Sequence, residues 1–133
     1  MIKAEILSIK TNEGVNFYEF KALGAENLDK NLRLFMLSLN PSDAKEGDAV
    51  ELCFKSSDVI IAATPLKECS AENEIACEIA SLNNGEILCE LGLKCGFAEF
   101  DAVISAASCR RLGLRLNKRV FAYVKAASVY IQN

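Results

Sequence analysis

The sequence contains no histidine and no tryptophan, and only two prolines among its 133 residues. Without histidine the chain lacks the side chain that most often serves as acid, base or metal ligand near neutral pH. No nucleophile motif and no phosphate-binding glycine loop stands in its place, so the expectation is a protein that is not an enzyme. An aromatic content of 8% leaves few platforms on which single-stranded nucleic acid can stack. Phe121 and Tyr123 do interleave with basic residues, but they alternate with Val120, Ala122 and Val124 as a packing face would. Together with a net charge of -3, this speaks against nucleic acid as a partner. No run approaches the roughly 18 apolar residues of a membrane span, and Met1-Ile2-Lys3-Ala4-Glu5 has no signal-peptide organisation. The expected location is the cytoplasm, with no membrane partner. Six cysteines are present, but none forms a C-x-x-C pair, and Cys77 and Cys89 fall at inward positions of alternating segments. Structural thiols are expected rather than a metal site. Acidic residues are missing from Ala102 onward, where Arg110, Arg111, Arg115, Lys118, Arg119 and Lys125 lie. Such a segment biases the local potential toward anions, although a solvated face is its plainer explanation.

What the chain does contain is a duplication. Val50-Glu51-Leu52-Cys53-Phe54-Lys55-Ser56-Ser57-Asp58-Val59-Ile60-Ile61 is echoed by Val120-Phe121-Ala122-Tyr123-Val124-Lys125-Ala126-Ala127-Ser128-Val129-Tyr130-Ile131. Both copies read as an apolar strand, a lysine, a short step of small residues and a second apolar strand. The two lysines stand 70 residues apart, and Glu5-Ile6-Leu7-Ser8-Ile9 matches Glu78-Ile79-Ala80-Ser81-Leu82 at 73. A repeat takes precedence over other signals because it changes the whole fold reading. It divides the chain into a first unit over 1–63, a linker over 64–69 and a second unit over 70–133. A unit of about 60 residues is near the lower limit for a domain that buries its own core.

Short strands with Gly and Asn turns favour small barrels over a sheet with crossover helices. The expected fold is all-β with short helical turns, as tandem OB-like five-stranded small barrels. In the second unit Ser105 is a candidate helix cap, Ala106 and Ala107 are helix formers, and Gly113 can end the turn. In the first unit Asn40, Pro41 and Gly47 suggest the same device over the equivalent stretch.

Five strands with one helical turn, closing on Val124-Lys125-Ala126-Ala127-Ser128-Val129, resemble the Mop or TOBE module of molybdate-binding proteins. Leu112-Gly113-Leu114 followed by Val120 to Ala126 carries most of the resemblance, and Ser70-Ala71-Glu72-Asn73-Glu74-Ile75 is similar to that module's opening segment. Two modules in one chain look like a stand-alone di-Mop molbindin. The resemblance implies molybdate or tungstate as bound ligand, no organic cofactor, and a homo-oligomer, with a trimer favoured over a dimer. It also implies sites where modules or subunits meet, and a role in storing or buffering the anion in the cytoplasm. Carried over residue by residue, it points to Ser70, Ala71, Ser105, Ser108, Lys125, Ala126 and Ala127. The first unit contributes Lys55, Ser56 and Ser57.

The chemistry of these residues suits the ligand. A tetrahedral dianion offers acceptors only, so its shell must consist of N–H groups, hydroxyls and cations. The second unit departs from the family pattern at Glu72, where arginine is usual, and at Ala127, where a hydroxyl often follows Lys-Ala. The first unit lacks the opening segment and carries Ser38 and Ser42 in place of the Ser105 and Ser108 pattern. Each candidate also has a structural explanation, Ser105 as a helix cap and Lys125 as a cation marking a strand end. The competing function is therefore a TOBE-type oligomerisation or interaction module with decayed anion sites.

Overall fold

Among the described residues the alternating segments form ten strands in two antiparallel sheets of five. The computed structural model describes residues 1–26, 28–29 and 31–132. The first unit supplies β1 (Ile2–Asn12), β2 (Val15–Ala22), β3 (Arg33–Ser38), β4 (Ala49–Cys53) and β5 (Ile60–Ala62). The second supplies β6 (Asn73–Asn84), β7 (Leu88–Lys94), β8 (Glu99–Ser105), β9 (Arg119–Val124) and β10 (Tyr130–Gln132), with helix α1 (Ala106–Arg111) after β8. This is the expected tandem of five-stranded units.

The long first strand of each unit serves two neighbours. β1 pairs with β4 over Ile2 to Glu5 and with β2 from Ala4 onward, and β6 pairs with β9 over Asn73 to Glu78 and with β7 from Glu78 onward. A register shift falls between Ile6 and Ser8 in β1, and between Ile79 and Ser81 in β6. An extra residue at such a bulge bends a strand and increases its twist, which lets one strand turn from one partner to the next. Alternation places Ile2, Ala4 and Ile6 inside, and equally Ile75, Cys77 and Ile79.

The last strands are exchanged. The sheet of the first unit runs β10-β4-β1-β2-β3, and that of the second runs β5-β9-β6-β7-β8. Tyr130 lies opposite Cys53, and Ile60 lies opposite Tyr123, which are equivalent registers in the two copies. The exchange is thus reciprocal, and one hydrophobic core contains residues of both units. Phe54 meets Phe100 edge to face, with ring centroids 5.3 Å apart. Ile2, Leu34, Leu52 and Phe54 from one side and Ile75, Val124 and Val129 from the other line a single closely packed space. Asn73, 2% exposed, adds a polar clasp. Its Oδ1 accepts from the Phe35 N–H at 2.7 Å, and its Nδ2 donates to the Phe35 carbonyl at 3.0 Å.

One expectation fails. Residues 39–46 form no helix in the first unit, although Gly47 does take a left-handed conformation with φ of +92°. Local polar side chains claim the backbone instead: Ser42 Oγ accepts from the Ala44 N–H, and Asp48 Oδ2 from that of Lys45. Such bonds compete with helical ones, and Asn40 to Asp43 are all exposed, so no apolar face anchors a helix. In α1, by contrast, Ala106 and Cys109 are both buried.

Cys77 and Cys89 are buried as the alternation predicts. Burial raises the Cys77 thiol to about 12. Burial first, then the neighbouring Cys109 thiol, raises Cys89 to about 11. Both stay protonated at neutral pH and are therefore weak nucleophiles and poor metal ligands.

Candidate functional site

The duplicated lysines begin the same local structure. Lys55 leaves β4 with φ, ψ of -76°, 142°, and Lys125 leaves β9 with -68°, 145°. A 3-10 turn follows each, over Ser56–Asp58 and Ala126–Ser128. The carbonyl of each lysine accepts from the residue three further on, Asp58 or Ser128, at 2.9 Å. Buried residues pin both ends of each turn: Phe54 and Val59 in one, Val124 and Val129 in the other. Small residues follow the lysine because the chain must turn sharply there between two buried anchors. The lysines themselves are exposed and have no ion-pair partner among the described residues. Each turn thus offers a free ammonium beside amide N–H groups that have no acceptor within the turn itself.

Strand exchange decides what each turn faces. The turn after Lys55 packs against β8 of the second unit, and the turn after Lys125 packs against β3 of the first. Beside the Lys125 turn an open cleft of about 590 Å³ is lined by Ala127, Tyr130, Ser38, Asn40 and Ser42. Beside the Lys55 turn a smaller one, about 370 Å³, is lined by Ser56, Ser81 and Asn83, with Glu90 and Asp101 on its rim. Those two carboxylates are exposed and set negative charge near the smaller cleft. Ser81 and Asn83 were not singled out from sequence; their only signal is their place just after the bulge in β6.

Ser105 and Ser108 sit together at the start of α1. Ser105 Oγ accepts from the Ser108 N–H at 3.0 Å and donates to Ser108 Oγ at 2.9 Å. Arg111 donates to the same Ser108 hydroxyl at 3.3 Å. The expected cap is therefore present, and Gly113 ends the helix with φ of +61°. Lys118 donates to the carbonyls of Leu112 and Gly113, where a cation complements the helix dipole. No hydrogen bond among the described residues joins Ser105 or Ser108 to Lys125.

Glu72 is engaged at the other turn. Its Oε1 accepts from the Ala126 N–H at 2.9 Å, so the carboxylate that departs from the family pattern sits on one of the candidate amides. Ser70 is exposed and Ala71 half-buried just before it. Nearby, Tyr123 Oη donates to Glu74 Oε2 at 2.5 Å and accepts from the Leu66 N–H at 2.7 Å, clamping the linker. Burial, then this bond to Glu74, holds the Tyr123 hydroxyl above its ordinary pKa. At 2% exposure Tyr123 cannot serve as a stacking platform. Replacing it with Phe is expected to lower stability by about 1–2 kcal/mol in urea unfolding. The variant also loses the part of the alkaline destabilisation that arises as pH climbs through the raised Tyr123 pKa, because stability from a raised pKa is present below it and lost above.

Among the described residues no cluster of metal-ligating side chains occurs, and no helix is long and apolar enough to cross a membrane. A scan against protein-family models finds no match, and a search of curated proteins finds none. Among solved structures, a molybdate-binding protein from Sporomusa ovata aligns with 45% of this chain and 90% of its own, at 23% identity and a TM-score of 0.44. The cytoplasmic molybdate-binding protein ModG, solved with molybdate bound, aligns with 98% of this chain and 92% of its own, at 18% identity and a TM-score of 0.87. Over nearly its whole length, this chain has the fold of ModG.

Proposed function

We propose that the chain binds molybdate or tungstate in the cytoplasm and holds the anion passively, as a store or buffer, without catalysing a reaction. One observation carries the reading: a chain with the fold of a molybdate-bound protein repeats an exposed lysine followed by a 3-10 turn at equivalent places. In this reading Lys55 with Ser56 and Ser57, and Lys125 with Ala126 and Ala127, are the cationic and amide donors. Ser70, Ala71, Ser105 and Ser108 complete shells where units or subunits meet, in a homo-oligomer for which a trimer is the expected form. Desolvating a dianion demands nearly full compensation by such donors, which is why one free ammonium per turn matters.

Calorimetric titration with molybdate, tungstate and sulfate, with the solution mass recorded alongside, tests this. Molybdate and tungstate are expected to bind and the smaller sulfate to be rejected. Lys125→Ala is expected to weaken its site about tenfold or more, the worth of a charge-assisted hydrogen bond, with an unchanged thermal midpoint. An unchanged affinity would remove Lys125 from the site.

The bond from Glu72 to the Ala126 amide favours a second reading, an oligomerisation or interaction module whose anion sites have decayed. That reading expects a folded oligomer that takes up none of the three anions.

A further inference from the structure

We infer that Glu72 is a built-in competitor for the oxyanion at the Lys125 turn: its carboxylate holds the Ala126 amide, and the anion binds there by displacing it. The inference rests on the oxyanion reading above and names the residue that sets the affinity of one of its sites.

The geometry makes this amide unusual. Ala126 is 0% exposed, yet its N–H begins the turn and finds no acceptor within it. A buried N–H must have a partner, and the partner here is a carboxylate oxygen 2.9 Å away. The protein therefore already holds an anionic group at the place where the proposed ligand needs a donor. Glu72 makes no ion pair with Lys125 among the described residues, so the ammonium stays available to an incoming anion.

The carboxylate is also placed to leave. The Glu72 side chain is exposed, and swinging it outward returns a charged group to water. The backbone beside it stays fixed, because the next residue, Asn73, is buried and bonded twice to Phe35. Movement is thus confined to one side chain. At the other turn no side chain among the described residues accepts from the first amide, that of Ser56, whereas Glu72 accepts from Ala126, although Lys55 and Lys125 have nearly the same backbone dihedrals. Two turns with the same local structure therefore differ in having, or lacking, a tethered carboxylate on the first amide.

The test uses the full chain in a Lys55→Ala background, so that the Lys125 turn is read on its own. Molybdate affinity is measured by calorimetry with Glu72 present, with Glu72→Ala and with Glu72→Gln, and the Ala126 amide is followed by nitrogen-edited NMR. Glu72→Ala is expected to tighten binding about tenfold or more, with Glu72→Gln between the two because it keeps an acceptor without the charge. The Ala126 amide resonance is expected to move in Glu72→Ala before any anion is added, and with added molybdate to move at lower concentration than in the parent. Glu72→Gln, the closest in shape, carries the comparison if Glu72→Ala does not fold. Equal affinities in all three proteins would overturn the competitor while leaving the oxyanion reading in place. No molybdate uptake by any of them, nor by the unmodified chain, with the Ala126 amide still reporting the loss of Glu72, would overturn the oxyanion reading and the competitor with it.

Discussion

An aspartate at Ile61, in the first unit, is expected to loosen the sheet of the second unit, and one at Ile131 the sheet of the first. The reason is the reciprocal exchange of last strands. Ile61 lies opposite Ala122 on β9, and Ile131 lies opposite Leu52 on β4. Ile61 is 8% exposed, and Ile131 packs against the shared core. Placing a carboxylate at either position costs about 3 kcal/mol, a large fraction of the 5–15 kcal/mol typical of a domain. Hydrogen exchange reads where the loss falls. In Ile131→Asp, the amides of Ala49–Cys53 are expected to lose protection while those of Leu88–Lys94 keep theirs. In Ile61→Asp, the loss is expected in Arg119–Val124. Protection lost on the mutated unit's own fourth strand instead would mean that each strand returns to its own sheet in solution.

That exchange was not legible in the sequence, whereas the strands were. The apolar run after each lysine turn marks Ile60 to Ala62 and Tyr130 to Ile131 as strand, but not which neighbour they join. The duplication even conceals the answer, since β4 and β9 offer each last strand the same register. What settles the choice is the turn after Lys55 and Lys125, which carries each strand across to the opposite unit. The turn itself was visible only as a lysine followed by small residues.

Helix α1 was readable because its signals agreed, Ser105 as cap, Ala106 and Ala107 as helix formers and Gly113 as its end, and in the fold buried Ala106 and Cys109 anchor one face. Over 39–46 the cap-like Asn40 and Pro41 had no such support, and the side chains of Ser42 and Asp48 won the backbone. Glu72 shows a third kind of limit. The sequence marks it as a carboxylate where a cation is usual, and its bond to an amide 54 residues away appears only once β6 and β9 pair.

Asn73→Leu is expected to be among the most damaging single substitutions, although it replaces a polar residue in an apolar surrounding. The Asn73 amide copies a strand's backbone, accepting from Phe35 and donating back to it, and so joins the start of β6 to the edge strand β3 of the other sheet. Leucine has nearly the same bulk but leaves the Phe35 N–H and carbonyl without partners in a part-buried place. Two lost hydrogen bonds and the desolvation of the groups they satisfied amount to about 3 kcal/mol. Apolar burial of the new side chain offsets about 1 kcal/mol of this at most, since the space around Asn73 is already filled. Urea unfolding is expected to show the midpoint falling with little change in slope, and the Phe35 amide is expected to exchange faster than its neighbours on β3. Asn73→Asp separates the two bonds: it keeps the acceptor for the Phe35 N–H but sets a second acceptor against the Phe35 carbonyl. It is therefore expected to be at least as unstable near neutral pH, and to recover as the carboxyl takes up a proton and can donate again. A Leu variant as stable as the parent would show that the two sheets are joined by their apolar core alone. Because Asn73 fixes the backbone next to Glu72, the same variant is also expected to weaken the hold of Glu72 on the Ala126 amide, which ties the stability of the sheet junction to the state of the Lys125 turn.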